Sequence, residues 1–181
     1  MSVVPIHLFG SPVLRQRADE VGHVDTEVRN LVQNLFDTMH ADRGVGLAAN
    51  QVGVARRVAV VETEEGDRVV LIDPEILERE GKTRAEEGCL SIPDIYGEVD
   101  RAKRIVVETT SLDNARVRVE AVDLEARAIQ HEIDHLDGIL FLDRLSPLKR
   151  RMLTKKWRKS REGQTGLLKI VTPEADSAAK G

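Results

Sequence analysis

The sequence H-E-I-D-H at residues 131–135 is the strongest constraint on how this chain can fold. On a helix of 3.6 residues per turn, His131 and His135 lie about 40° apart around the axis, so both imidazoles can reach one metal ion. The flanking sequence predicts such a helix, because Asp123 can cap its start and Gly138 can end it. The fold must then bring a further ligand to one face of this helix. The alternative interpretation is two partly buried histidines with solvated acidic neighbours.

The sequence position of the third protein ligand distinguishes one class of metalloprotein from another. Metalloproteases that share this helix place a third histidine three residues after a glycine; here Gly138 matches, but Phe141 occupies the histidine position. No histidine or cysteine follows His135, so the ligand is expected upstream. Cys89 is the candidate, because a thiolate binds Zn(II) or Fe(II) well and a Cys/His/His set leaves the fourth tetrahedral position open, as in catalytic sites. A lone cysteine is otherwise more often a small buried apolar residue, and it excludes a disulfide-stapled secreted fold.

Apolar periodicity assigns the rest of the chain to helices and antiparallel strands. Residues 25–42 repeat apolar side chains at helical spacing, which predicts an amphipathic helix. Four Val- and Ile-rich runs predict two β-hairpins, at residues 57–62 with 68–73 and 105–110 with 115–122. Residues 92–100 are expected to form a loop. Because the strands flank one central helix with little β-α-β alternation, the sequence predicts an α+β fold with antiparallel strands packed around the H-E-x-x-H helix.

Charge is distributed unevenly along the chain. Residues 144–169 contain ten basic side chains and one acidic, whereas residues 1–143 contain 16 basic and 28 acidic. This contrast predicts a separate electropositive surface on a basic C-terminal helix at about residues 146–161, opened by a Ser-Pro pair. A solvated helix docked on the body is the usual interpretation of such a segment. We expect one catalytic domain over residues 1–171 and a disordered tail at residues 172–181.

Composition excludes several settings for this protein. No apolar run approaches the roughly 20 residues needed to span a bilayer, and the first ten residues lack the pattern of a secretory signal. Five aromatic side chains are too few to suggest stacking platforms for single-stranded nucleic acid. We therefore expect a cytoplasmic protein that binds neither membrane nor DNA.

Three segments of the chain resemble the signature motifs of the peptide deformylases, in the same order and with comparable spacing. They are G-V-G-L-A-A-N-Q at residues 44–51, E-G-C-L-S at residues 87–91 and Q-H-E-I-D-H-L-D-G at residues 130–138. All three match the family pattern at every defining position. The resemblance implies a metal-dependent hydrolase that removes the N-formyl group from the N-terminal formyl-methionine of newly synthesised polypeptides and releases formate. It also implies one divalent ion, Fe(II), with Zn(II) or Ni(II) able to occupy the same site.

The resemblance further implies roles around the Cys89, His131 and His135 ligands. Helical geometry does not choose between Glu132 and Asp134 as general base, because the two flank the histidine face symmetrically. The family pattern selects Glu132 and leaves Asp134 as a supporting or capping group.

For the oxyanion hole, the resemblance implies the Gln51 amide and the Leu90 backbone N–H, although a surface loop amide explains Gln51 from its sequence alone. Substrate-binding roles fall to Val45 and to Gly46, whose carbonyl would meet the substrate backbone. Gly44 is expected to end the preceding helix. A further pair on the His131 face of the helix is expected to line a pocket, with ordinary core packing as the alternative: Leu124 and Ala128.

The expected partners are N-formyl-methionyl nascent peptides and, through the basic helix, ribosomal RNA. Two other functions stay open at this point. A zincin-like endopeptidase is disfavoured by Phe141, and a non-enzymatic RNA-binding protein with a structural metal is disfavoured by the open coordination position.

Overall fold

The computed structural model describes residues 2–65 and 67–173, which form three α-helices and four short antiparallel sheets. The α-helices are α1 (Thr26–Ala41), α2 (Asp123–Leu136) and α3 (Pro147–Ser160). The strands are β1 (Ile6–His7), β2 (Gly46–Ala48), β3 (Val58–Val61), β4 (Val69–Ile72), β5 (Glu75–Glu80), β6 (Thr83–Cys89), β7 (Ile92–Arg101), β8 (Arg104–Thr110), β9 (Arg116–Val122) and β10 (Leu168–Lys169). The 3-10 helices are Pro12–Arg15, Ala49–Val52 and Phe141–Arg144.

The strands form four small antiparallel sheets with the orders β2-β3-β4, β5-β8-β9, β6-β7 and β1-β10. Both predicted hairpins are confirmed as β3-β4 and β8-β9, and the mixed helix and antiparallel sheet architecture agrees with the predicted α+β class. Strand β2 lies at the edge of its sheet, next to α2 in space. No helix in the described part of the chain is long and apolar enough to cross a membrane.

Helix α1 positions the loop that leads into β2. Its N-cap is Asp25, whose Oδ1 accepts the Val28 N–H at 2.9 Å, and its buried apolar side chains pack beside β2 and β3. The expectation that Gly44 ends this helix is wrong, because Arg43 adopts the left-handed conformation with a φ of 58°. The Arg43 N–H bonds to the His40 carbonyl and the Gly44 N–H to the Met39 carbonyl, as in a Schellman motif with Arg43 in the glycine position. A Cβ on Gly44 would lie 2.6 Å from the Leu90 side chain, so the glycine admits a close approach instead.

Helix α2 is buried along residues 126–136 and carries the H-E-I-D-H sequence. The prediction that Asp123 is the N-cap of this helix is wrong. Asp123 is the first residue of the helix, and Val122 occupies the cap position, where no side chain caps the helix. The reason is that β9 runs directly into the helix, and the Asp123 N–H is satisfied by the Lys103 carbonyl at 2.9 Å. Gly138 follows the helix as predicted, with a φ of 74°, where a Cβ would lie 2.6 Å from the Arg15 carbonyl oxygen.

The predicted loop at residues 92–100 is instead strand β7, which pairs with β6 in a long hairpin. The sequence of this strand lacks the two-residue alternation of a half-buried strand, because its buried apolar residues are three and four positions apart: Ile92, Ile95 and Val99. The β6-β7 pairing also shifts register between Glu87 and Cys89. This hairpin brings Cys89 toward α2. Helix α3 begins at its Ser146 cap and docks through Trp157 and Leu153. The tail predicted at residues 172–181 lies outside the described residues from position 174 onward.

Candidate metal centre and cavity

Three potential metal ligands from two parts of the fold meet at one point. Cys89 comes from the end of β6, and His131 and His135 come from one face of α2. The ligand atoms all lie within 4.8 Å of one another. The Cys89 sulfur is 3.3 Å from His135 Nε2, which is 3.2 Å from His131 Nε2. The structure therefore brings together the two histidines that helical spacing singled out and the cysteine inferred from the lack of a later histidine or cysteine.

The spacing and protonation of these groups fit a divalent cation. Ligands bonded to one tetrahedral ion at about 2.0 to 2.3 Å would lie about 3.3 to 3.6 Å from one another, close to the observed separations. Burial would lower the pKa of both imidazoles, but hydrogen bonds that the His131 ring makes with Cys89 and Glu87 raise the pKa of His131 well above its ordinary value. Burial and the adjacent His131 charge lower the pKa of His135 well below its ordinary value. The raised pKa of His131 indicates that its surroundings stabilise positive charge, which a bound cation would also supply.

Glu87 orients His131. The only sequence signal for this role is the position of Glu87 in the E-G-C-L-S motif. His131 Nδ1 lies 2.9 Å from Glu87 Oε1, so the ring donates to the carboxylate and turns Nε2 toward the other ligands. Burial favours a raised pKa for Glu87, but hydrogen bonds from His131 and Arg101 outweigh it and hold the pKa well below its ordinary value. The same carboxylate also accepts from Arg127 at 2.8 Å. Glu87 therefore remains an anion beside the metal ligands.

Glu132 and Asp134, the two candidate bases on α2, have very different surroundings. Glu132 is buried, lines the cavity, and its Oε2 has no hydrogen-bond partner among the described residues. Burial raises its pKa to about 7. Asp134 instead accepts from Arg101 Nη1 at 2.6 Å and from Arg144 Nη2 at 2.7 Å. Of the two carboxylates, only Glu132 is placed to exchange a proton with a molecule in the cavity.

Gln51 is buried rather than exposed, so the surface-loop interpretation of its amide is wrong. Its Oε1 accepts the Ala48 N–H at 3.0 Å, which turns the amide nitrogen toward the ligand cluster. That nitrogen donates to Ser91 Oγ at 3.1 Å and lies 3.6 Å from the Cys89 sulfur. Leu90 follows Cys89 in the turn of the β6-β7 hairpin and lines the same cavity.

A cavity of about 480 Å³ opens over these groups. The sequence-predicted residues Val45, Gly46, Leu124 and Ala128 all line it, with Leu124 at the exposed rim and Ala128 buried. Three further residues, to which no sequence motif gave a role, form apolar walls of the cavity: Ile92, Pro93 and Tyr96. An apolar cavity with a few polar groups at its floor is typical of sites that bind a small group or one side chain.

Known proteins are similar to this chain in both sequence and fold. The polypeptide deformylase family matches the chain over residues 3–151. The peptide deformylase of Thermomicrobium roseum is 50% identical over 153 residues, which cover 80% of this chain and 87% of the relative. That of Acidobacterium capsulatum is 42% identical over 163 residues, covering 88% and 96% of the two chains. The crystal structure of peptide deformylase from Ehrlichia chaffeensis in complex with actinonin has a TM-score of 0.86 and 37% identity, covering 90% of this chain and 99% of that one.

Proposed function

Since this chain belongs to the polypeptide deformylase family and hydrolyses the N-formyl group of nascent polypeptides, we propose that Cys89, His131 and His135 hold its metal ion and that Glu132 transfers the protons of the reaction. The observation that carries the proposal is the convergence of the three ligand atoms beside a buried carboxylate whose Oε2 is unpaired among the described residues. Formate release from a formyl-Met peptide and metal content, compared between the parent and variants of these four residues, test the proposal. Cleavage of internal peptide bonds in an intact protein substrate would instead favour the endopeptidase alternative.

The family is metal-dependent, and the donor set suits several divalent ions. When bound by these residues, the ion supplies a Lewis acid that polarises the formyl oxygen and makes a neighbouring water more acidic. We propose Fe(II) as the native ion, with Zn(II) or Ni(II) able to occupy the same ligands. Elemental analysis of protein purified without oxygen distinguishes the three.

Glu132 acts as base and then as acid in the proposed reaction. Its carboxylate takes a proton from the attacking water as the new C–O bond forms at the formyl carbon. The same proton passes to the amide nitrogen as the C–N bond breaks, which yields formate and a free α-amino group. A pKa near 7, raised by burial, suits a group that must both accept and donate near neutral pH.

Gln51 and Leu90 are proposed to stabilise the negative charge that develops on the formyl oxygen. The Gln51 amide N–H, now donating to Ser91 Oγ, and the backbone N–H of Leu90 both belong to the wall around Cys89. Donors already oriented in a buried site stabilise such charge more strongly than water does.

We expect Gln51→Leu to lower kcat by about 10²-fold with little change in KM, because the lost donor acts on the transition state. Gln51→Glu serves as the matched variant, since its carboxylate keeps an acceptor for the Ala48 N–H while it loses the amide donor. Steady-state kinetics on a formyl-Met peptide measure the loss of the amide donor, and the unfolding temperature measures the loss of the contact with the Ala48 N–H. Parent-like kcat in both variants would remove Gln51 from the proposed oxyanion hole.

The substrate backbone is proposed to run along β2. This strand pairs with β3 on one side. Its first residue, Gly46, and the preceding Val45 reach the cavity, so an extended peptide can add to the edge of β2 that does not pair with β3. The apolar walls near Leu124 and Ala128 then take the methionine side chain. Because a formyl carbon carries only hydrogen beside its oxygen and nitrogen, a tight floor can admit it and exclude an internal peptide bond.

The Glu132 side chain packs against the backbone at Gly46, where glycine leaves room for it. A Cβ at this position would lie 2.5 Å from Glu132 Oε1 and 3.0 Å from its Cδ. We therefore expect Gly46→Ala to displace the carboxylate and lower kcat/KM at least about 10-fold, because a small misplacement of a catalytic group is costly, while the metal content stays at the parent level.

The control for Gly46→Ala is Gly97→Ala on β7, in which the added methyl would meet the side chain of Leu145, 3.0 Å away and outside the cavity lining. Kinetics and metal analysis of both variants check the prediction. An unaffected kcat/KM in Gly46→Ala would show that Glu132 does not need its present position.

Helix α3 is proposed to contact ribosomal RNA and so hold the enzyme near emerging chains. Its exposed basic residues Arg151, Lys155 and Arg158 line one surface groove, opposite in sign to the acidic body. Phosphate contacts of this kind are salt-dependent. The family match ends at residue 151, so most of this surface lies beyond it.

We expect replacement of Arg151, Lys155 and Arg158 by glutamine to reduce the ribosome-bound fraction at low salt about 10-fold, because three phosphate contacts are lost. Co-sedimentation at low and high salt measures this. The control neutralises three exposed basic residues of the body: Arg17, Arg79 and Lys103. Equal pelleting of the parent and both variants would contradict the ribosome proposal.

A further inference from the structure

The metal ligands come from two elements that no strand pairing joins. The β6-β7 hairpin, which carries Cys89, pairs with none of the other sheets formed by the described residues. Its apolar residues Ile92, Ile95 and Val99 belong to a core with Phe141 and Trp157, not with the apolar face of α2. Something other than this core must therefore fix the hairpin against the helix that carries the histidines.

Arg127 makes that connection. It lies on α2 four residues before His131, on the same stripe of the helix as both histidines. Its Nη1 donates to Glu87 Oε2 and to the Val99 carbonyl, both at 2.8 Å. Its Nη2 donates to the Thr83 carbonyl at 2.9 Å and to Thr83 Oγ1 at 3.1 Å. One buried side chain therefore bonds to both strands of the hairpin and to the carboxylate that orients His131.

The other contacts in this region do not duplicate Arg127. Arg101 bonds to Glu87 from within the hairpin and reaches α2 only through Asp134. Gln130 exchanges two hydrogen bonds with Ala102, beyond the end of β7. A planar guanidinium can make several directed bonds at once, whereas a lysine ammonium offers one compact charge on a shorter side chain. The geometry around Arg127 therefore requires an arginine.

We propose that Arg127 is a positioning residue that sets the spacing of Cys89 from His131 and His135, by clamping the β6-β7 hairpin to α2 and by holding Glu87 against His131. This inference rests on the proposed metal centre and deepens it. Partners of metal ligands typically change metal affinity by about 10- to 100-fold when they are removed. Loss of Arg127 should change the orientation of His131, through Glu87, and the distance of Cys89 from the histidines, through the hairpin.

The test uses Co(II) as the probe, with affinity measured by competition against a chelator and sulfur ligation followed by the thiolate-to-cobalt absorption band. Arg127→Met is expected to weaken Co(II) binding at least about 10-fold and to reduce that band at saturation. Arg127→Lys, which keeps the charge, is expected to fold and to bind with intermediate affinity. The control is Arg57→Met, because Arg57 is equally buried and bonds to the Leu136 carbonyl and Asp137 at the end of the same helix, each at 3.0 Å.

Arg57→Met is expected to lower the unfolding temperature of the metal-free protein but to keep Co(II) affinity and the absorption band near the parent values. A double-mutant cycle adds a second readout: in a Glu87→Gln background, Arg127→Met should cost less affinity than in the parent, because part of its effect passes through Glu87.

The outcomes separate this inference from the function on which it rests. A parent protein that binds Co(II) without the thiolate band would overturn both. A parent with the band, together with an Arg127→Lys variant of parent affinity and spectrum, would overturn only the role of Arg127. If Arg127→Met does not fold, the lysine variant and its double mutant with Glu87→Gln still decide the question. Equal losses of affinity in the Arg57 and Arg127 variants would show a general structural effect and would also overturn the proposal.

Discussion

Glu132→Gln is expected to keep its metal ion and to lose about 10³-fold in kcat, within the range that a positioned acid or base contributes. Glutamine matches glutamate in size, so the buried pocket beside Gly46 and the cavity wall keep their shape. It cannot accept the proton of the attacking water or deliver one to the leaving nitrogen. Kinetics on a formyl-Met peptide and metal analysis of the same preparation check both parts of the prediction.

The control for this variant is Glu125→Gln, which makes the same change on α2 at a half-buried carboxylate outside the cavity lining. Burial raises the pKa of Glu125 as it does that of Glu132. Both variants therefore replace a carboxyl group with a raised pKa, but only Glu132 lines the cavity. Glu125→Gln should have parent kcat. If Glu132→Gln keeps a near-normal rate, the proton-transfer role of Glu132 is wrong.

Cys89→Ala and His135→Ala are expected to lose the metal ion together with activity. A bound structural zinc is worth about 10 to 16 kcal/mol over four ligands, so removal of one ligand should weaken binding by about 10²- to 10³-fold or more. His135 is buried and Cys89 is half-buried, and among the described residues no further histidine, cysteine or carboxylate belongs to the ligand cluster to replace either side chain. Metal content after dialysis and formate release with and without added Fe(II) measure the effect.

His7→Ala provides the matched control for the histidine variant. His7 is half-buried on β1, bonds to Ser11 Oγ at 2.8 Å and lies outside the ligand cluster. This variant should retain its metal ion and its activity. A His135→Ala protein that binds one ion as tightly as the parent would contradict the proposed ligand set.

Local spacing made part of this structure predictable. The helical repeat of residues 25–42 predicted α1, the Val-rich runs predicted β3-β4 and β8-β9, and the i, i+4 histidines predicted a shared face of α2. These signals need only neighbours along the chain. The upstream position of Cys89 followed from exclusion, since the sequence holds no later histidine or cysteine.

Features that depend on distant partners were not predictable. Strand β7 was mistaken for a loop because its pairing with β6 shows no two-residue alternation of apolar side chains. Gln51 was compatible with a surface loop until its contacts with Ala48 and Ser91 showed it to be buried. The connection from Arg127 through Glu87 to His131 joins residues about 40 positions apart, and no local pattern marks which arginine reaches which carboxylate.

X-ray absorption at the metal edge tests the central claim most directly, because it counts sulfur and nitrogen neighbours of the ion itself. For the parent protein loaded with one equivalent of metal, we expect one sulfur at about 2.3 Å and two imidazole nitrogens at about 2.0 to 2.1 Å, with the sulfur lost in Cys89→Ser. A spectrum without sulfur in the parent, or one unchanged in Cys89→Ser, would contradict the proposed metal centre.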